Sequence, residues 1–185
     1  MTNSNNSIGY VVGGSLKDNL QIRLTVPSQE VQEGAFVVVE SGDWQFYGLA
    51  IDLRLGATDL RFADEQSEER FPRHLAELLH GQTLYTDLEV MQALMLERGP
   101  APGTDAYYQW QAEIDSGKRK EPRPMKVKTV PPHHAPARMA SAGDIAEIFG
   151  KAGDEGAFII GETREQGHPV RIDLREFIKR SAGIF

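Results

Sequence analysis

Along the first third of the chain, apolar residues recur with a period of two, in short runs separated by turn-forming residues. Ile8-Gly9-Tyr10-Val11-Val12 is one such run and Gly13-Gly14-Ser15 a turn. Leu20 to Val26 alternates apolar and polar side chains, as a strand with one buried face does, and Pro27 ends it. Gly34 introduces the nearly continuous apolar run Ala35-Phe36-Val37-Val38-Val39 before Glu40. Ser41-Gly42-Asp43 then turns the chain into a further strand, Trp44 through Leu55. Four strands this closely spaced leave no room for crossover helices, so the pattern predicts an antiparallel meander or barrel.

The period then changes. Phe71-Pro72 precedes Leu75, Leu78 and Leu79 at helical spacing, and Gly81 suits a left-handed cap, which predicts a short amphipathic helix. Thr83 to Glu97 fits two templates. Leu84, Leu88, Val90, Leu94 and Leu96 suit strand alternation, whereas Leu84, Leu88, Met91 and Met95 suit a helix face; a long strand is the preferred reading. Residues 98–126 break the composition, being rich in proline, glycine and charge around Tyr107, Tyr108 and Trp110, and read as a loop or insertion. Val127 to Val130 is a candidate strand before Pro131-Pro132. Ser141-Ala142-Gly143-Asp144 predicts a capped helix with Ile145, Ile148 and Phe149 on one face and Gly150 as its stop. Ala157 to Ile160 and Val170 to Ile172 read as strands. Asp173, with Glu176 completing a capping box, opens a last short helix carrying Leu174, Phe177 and Ile178, with Lys179 and Arg180 at its negative end.

Composition narrows the function classes. The chain has 185 residues, 40% of them hydrophobic and 25% charged, enough to bury one core of ordinary domain size. Its formal net charge of -7 argues against nucleic-acid binding over the whole surface and leaves room only for a local basic patch. Without cysteine there are no disulfides, thiol nucleophiles or cysteine-based zinc sites. The opening MTNSNNS lacks the basic start and apolar run of a signal peptide, and no stretch has the length of a membrane span. The expectation is a cytoplasmic protein that does not engage membranes.

Candidate chemistry is sparse. The five histidines, at 74, 80, 133, 134 and 168, lack the i, i+4 spacing of a helical metal site. His133-His134 follows two prolines in what reads as an extended segment, where the two rings would point to opposite sides. Glu65, Glu68 and Glu69 read as a solvated approach to the predicted helix. Gly150-Lys151-Ala152-Gly153 fails as a phosphate loop, because Ala152 stands where a hydroxyl is needed and Asp154 and Glu155 would repel phosphate; it reads as a helix cap and turn. The one asymmetric feature is Gly117 to Lys128, with six basic residues beside the aromatic cluster. Lys118, Arg119, Lys120 and Arg123 are the candidate nucleic-acid contacts, cations for phosphates beside rings for bases, against the alternative of a solvated insertion.

Several segments, taken in order, resemble a known family. Ile8-Gly9-Tyr10-Val11-Val12, Val31 through Val39 and Tyr47-Gly48-Leu49-Ala50-Ile51-Asp52 are similar to the N-terminal barrel, or HAS barrel, of HerA-type hexameric ATPases. That barrel is itself similar to the N-terminal barrel of rotary ATP synthase subunits. Pro132 to Arg138, Asp144 to Gly150, Ile160-Gly161-Glu162 and Pro169 to Leu174 resemble the stretch that completes it, and Lys179 to Phe185 resembles the lead-in to a Walker A loop. Residues 98–126 have no counterpart.

The resemblance implies a closed antiparallel barrel at about 8–174, after a disordered tail at 1–7 and before a helix end and lead-in strand at 175–185. It implies a parent protein that is an ATP-driven DNA translocase or helicase, using ATP and magnesium, assembling as a hexamer and meeting a NurA-type nuclease or another effector in DNA repair. Walker A, Walker B and arginine-finger motifs are not in the sequence, so no catalytic or nucleotide-binding residue carries over, and this chain is expected to need no cofactor. The expected role is assembly and docking, with DNA as a further partner. The alternatives are a free-standing barrel that binds nucleic acid through the basic insertion, and a small enzyme with an unrecognised carboxylate site.

Overall fold

A computed structural model describes residues 7–58, 84–150 and 156–179, with only the backbone of Glu176 and Phe177. The predicted tail, the helix after Pro72, the turn after Gly150 and the final Arg180 to Phe185 fall outside these residues, apart from Ser7.

Six strands close into an antiparallel barrel: β1 (Ser7–Gly13), β2 (Leu20–Leu24), β3 (Phe36–Ser41), β4 (Trp44–Ala57), β5 (Leu84–Glu97) and, after a short outer strand β6 (Met125–Lys126), β7 (Pro136–Met139). Around the barrel the order is β2-β1-β7-β3-β4-β5, and β2 pairs with β5 to complete the ring. The expected β-rich barrel is present, and the ambiguous segment after Thr83 is a strand. It is not a meander, however. The hairpins β1–β2 and β3–β4 are separated by β7, which lies antiparallel to both β1 and β3.

Alternation decides which side chains point inward. Leu20, Ile22 and Leu24 of β2 are buried while Gln21 is exposed, and they join Ile8, Val11, Leu88, Val90, Phe46 and Ala137 in the barrel interior. Each fully buried Val, Leu or Ile contributes roughly 1.5–3 kcal/mol. The unbroken apolar run of β3 reflects burial on both faces. Val37 and Val39 enter the barrel, while Val38 points outward and packs with Tyr47, Leu96, Ala140 and Ile145. The outer layer is helix α2 (Ala142–Phe149), whose Ile145, Ile148 and Phe149 cover β3; Phe36 and Phe149 meet edge to face at 5.8 Å. The predicted capping box is formed: Ser141 Oγ accepts from Asp144 N and the Asp144 carboxylate accepts from Ser141 N at 2.8 Å. Gly150, with φ of 95°, ends the helix.

Three sequence expectations need correction. Residues 98–126 contain α1 (Asp105–Asp115), because Thr104 caps it by accepting from Tyr107 N and Gly117 terminates it. The strand expected at Val127 to Val130 is displaced to β6, where only Met125 and Lys126 pair with β5; Val127 turns inward against the core instead. The last two strands, β8 (Ala157–Glu162) and β9 (Pro169–Asp173), do not complete the barrel but pair with each other as a separate ribbon. A barrel already closed between β2 and β5 has no edge left to accept them. Asp173 caps the short α3 (Leu174–Ile178) through a bond from Arg175 N, as expected; the Glu176 side chain lies outside the description.

The Gln166 amide ties the turn of the ribbon to the barrel. Gln166 Oε1 accepts from Phe36 N at 2.9 Å, and its Nε2 donates to Ala140 O at 3.1 Å, so a side chain bridges the ends of β3 and β7.

Where β1 and β2 cross most closely, Gly9 lies against the Arg23 carbonyl, and a Cβ at Gly9 would overlap that backbone oxygen. Gly9→Ala is expected to lower unfolding free energy by about 1–3 kcal/mol, since backbone must shift to relieve the overlap. Gly143→Ala, in open helix with the nearest contact 3.6 Å away, is expected to raise it by about 0.5–1 kcal/mol. Urea denaturation of the two variants checks both signs.

Candidate functional site

Tyr107, Trp110 and Arg123 of the insertion come together where α1, the end of β5 and α2 meet. Gly99, at φ 70°, turns the chain out of β5 so tightly that a Cβ would sit 2.6 Å from the Trp110 ring. The Trp110 indole N–H is buried without an acceptor among the described residues, so the ring is held there by shape rather than by hydrogen bonding. Tyr107 and Trp110 lie with centroids 6.0 Å apart and planes tilted by 31°, one helical turn apart on α1. After Gly117 the chain doubles back, and the extended Glu121-Pro122-Arg123-Pro124 segment forms the far wall of a cleft of about 550 Å³. Tyr107, Trp110, Arg98, Arg123 and Glu147 all line it.

The floor is a polar network set by the barrel and α2. Arg98 donates to Gln45 Oε1 and to Glu147 Oε1, each at 2.7 Å, and the Tyr47 hydroxyl donates to Gln45 Oε1 at 2.8 Å. Burial pushes the Tyr47 phenol well above its ordinary value, with Arg98 opposing the shift. Beside it, Arg138 on β7 reaches Glu40 at 2.8 Å and grips both carboxylate oxygens of Asp144 at 2.7 and 2.9 Å. Burial alone would raise the Asp144 carboxyl, but the bonds from Arg138 and Ser141 outweigh it and hold its pKa at about 2, against an ordinary 3.8. Asp144 is therefore ionised, and Glu40 and Glu147 are likewise engaged by arginines. The network acts as a clamp that seats α2 on the barrel, with Arg98 positioned as part of the cleft floor.

The four cations singled out from sequence are not equivalent. Arg119 is bound to Glu97 at 2.5 Å and lies 3.7 Å from Glu113, so its charge is neutralised within the protein. Lys118, Lys120 and Arg123 are exposed and make no ion pair among the described residues, and Arg123 stands at the cleft wall. Tyr108, 63% exposed, lies on the same helix. The His133-His134 pair is not extended: His134 adopts φ 64° in a turn, its N–H donates to Val11 O at 2.8 Å, and its ring lies 5.4 Å from that of Tyr10. Among the described residues no group of three His, Asp or Glu side chains is arranged to hold a metal ion. No described helix is long and apolar enough to cross a membrane.

Sequence reasoning located the capping box but missed the rest of the floor. Arg98, Gln45 and Glu147 come from three distant segments, and no local spacing signals their meeting.

No protein-family model matches the chain, and no curated protein does.

Asp144 also sets a pH dependence. Because its folded pKa is depressed, its contribution is complete above about pH 4 and is lost as pH falls through about 2. Asp144→Asn is expected to cost about 2–3 kcal/mol at neutral pH. It should also make the loss of stability between pH 4 and pH 2 smaller than in the unaltered chain, measured by urea denaturation across that range.

Proposed function

We propose that the chain is a HerA-like barrel module that serves assembly and partner docking in an ATP-driven DNA translocase. One observation carries this reading. The segments of β1, β3, β4 and β7 that resemble the HerA-type barrel lie as consecutive staves, β1-β7-β3-β4, of one closed barrel, with β7 inserted from late in the chain between two early strands, while the resembling segments of β8 and β9 lie outside it. In this reading the barrel displays loops on a stable frame and the chemistry belongs to an ATPase domain elsewhere in the protein. The reading frame past the Phe185 codon is expected to encode a glycine-rich loop ending in Gly-Lys-Ser or Gly-Lys-Thr. A stop codon or an unrelated domain there overturns the proposal.

A second reading, direct contact with DNA by the insertion, is favoured by its three exposed cations, of which Arg123 lines the aromatic cleft, and by the exposed Tyr108 on α1. Three phosphate contacts correspond to a slope of log K against log salt of roughly -2 to -3, depending on whether the strand is single or double. Fluorescence anisotropy with labelled DNA is expected to give that slope. Replacing Lys118, Lys120 and Arg123 by alanine should abolish it, while Arg119→Ala, whose charge is already neutralised, should change it least. Binding that is absent, or insensitive to salt, eliminates this reading.

A further inference from the structure

The β8–β9 ribbon exposes three consecutive apolar side chains, Phe158 at 55%, Ile159 at 51% and Ile160 at 57%. Successive strand residues point to opposite faces, so both faces of β8 are apolar. Leu174 and Ile178 of α3 are also exposed, and Leu174 N donates to Gly156 O at 3.1 Å, which holds α3 beside the start of β8. The ribbon is anchored rather than adrift: Gln166 ties its turn to β3 and β7, and β9 lies against α2. β9 occupies one edge of β8, and no strand pairs with the other edge among the described residues. That edge carries no lysine, proline or charge from Ala157 to Gly161, where exposed edges are ordinarily protected. The register shift between Ile159 and Gly161 twists it but leaves Ala157, Phe158 and Ile159 in regular pairing.

A two-stranded ribbon is marginal in water, and an anchored apolar edge calls for a further strand. We propose that this strand is β8 of a second copy of the chain, paired antiparallel about a two-fold axis so that two ribbons form one four-stranded sheet. The edge is complementary to itself. With the axis at Ile159, the two Ile159 residues face each other, Phe158 of each copy falls opposite Ile160 of the other, Ala157 opposite Gly161 and Glu162 opposite Gly156, so no like charges are opposed. Phe158 of each copy is then set beside Ile160 of the other on one face, and the two Ile159 side chains meet on the opposite face, so exposed apolar groups on both faces gain cross-strand partners. Such a contact uses the same patch twice and closes at two copies. It is separate from any ring assembly of the parent protein and does not depend on the functional reading above.

Analytical ultracentrifugation of the full chain from low micromolar to sub-millimolar concentration is expected to show a monomer–dimer equilibrium. Ile159→Lys, which brings two like charges to the axis, should weaken the dimer at least tenfold. Leu55→Lys, at a more exposed apolar residue on β4, should leave it unchanged. Hydrogen exchange of the unaltered protein should show β8 amides becoming more protected as concentration rises. That measurement needs no variant, and Ile160→Glu is a second probe should Ile159→Lys fail to fold. A monomer at every concentration, β8 protection independent of concentration, a dimer that survives both substitutions, or an open-ended series of larger species overturns the proposal.

Discussion

The pairing of β2 with β5 is the contact on which the remaining architecture depends. It joins Leu20 to Val90 and Ile22 to Leu88 in register between segments that β3 and β4 separate in the chain, and all four side chains are at most 2% exposed. Without it the sheet would be an open curve with two unpaired edges, and the inward faces of β2 and β5 would have nothing to close against. Closure also decides what is left outside. Once every stave has two neighbours, the C-terminal strands pair only with each other, and the ribbon is held on by side-chain bonds rather than by a shared ladder.

The second organising feature is the double burial of β3. A strand with Val37 and Val39 inside and Val38 outside needs a layer on each face, and α2 supplies the outer one. The Arg138–Asp144 pair makes that layer's position specific. Apolar contact alone would tolerate sliding of α2 over β3, whereas a guanidinium gripping both oxygens of one carboxylate does not. The same seating brings Glu147 to Arg98 and so shapes the floor of the cleft. Stability of the outer layer and geometry of the candidate site are therefore one problem, solved by one set of charges.

Much of the fold was legible locally. Alternation in Leu20 to Leu24 and the long apolar pattern ending at Glu97 predicted strands, and Ser141 with Asp144 predicted a helix start, because these signals depend on residues within a turn or two of each other. The insertion was less legible. Its proline and glycine content masked α1, whose helical identity rests on the Thr104 cap and on Trp110 packing over Gly99. The basic cluster was visible as composition, but the difference between Arg119 and its neighbours was not, since Glu97 reaches it from another strand.

The sequence by itself determined the β-rich class, the positions of most strands and of two helix starts, and the presence of an aromatic and basic insertion in an acidic chain. Tertiary structure decided the strand order, with β7 between β1 and β3, the separation of β8–β9 from the barrel, and which charges are already neutralised. The physical reason is the range of the interactions. Periodicity and capping act between neighbours in the chain, whereas barrel closure and the arginine–carboxylate pairs join residues that only the completed fold brings together.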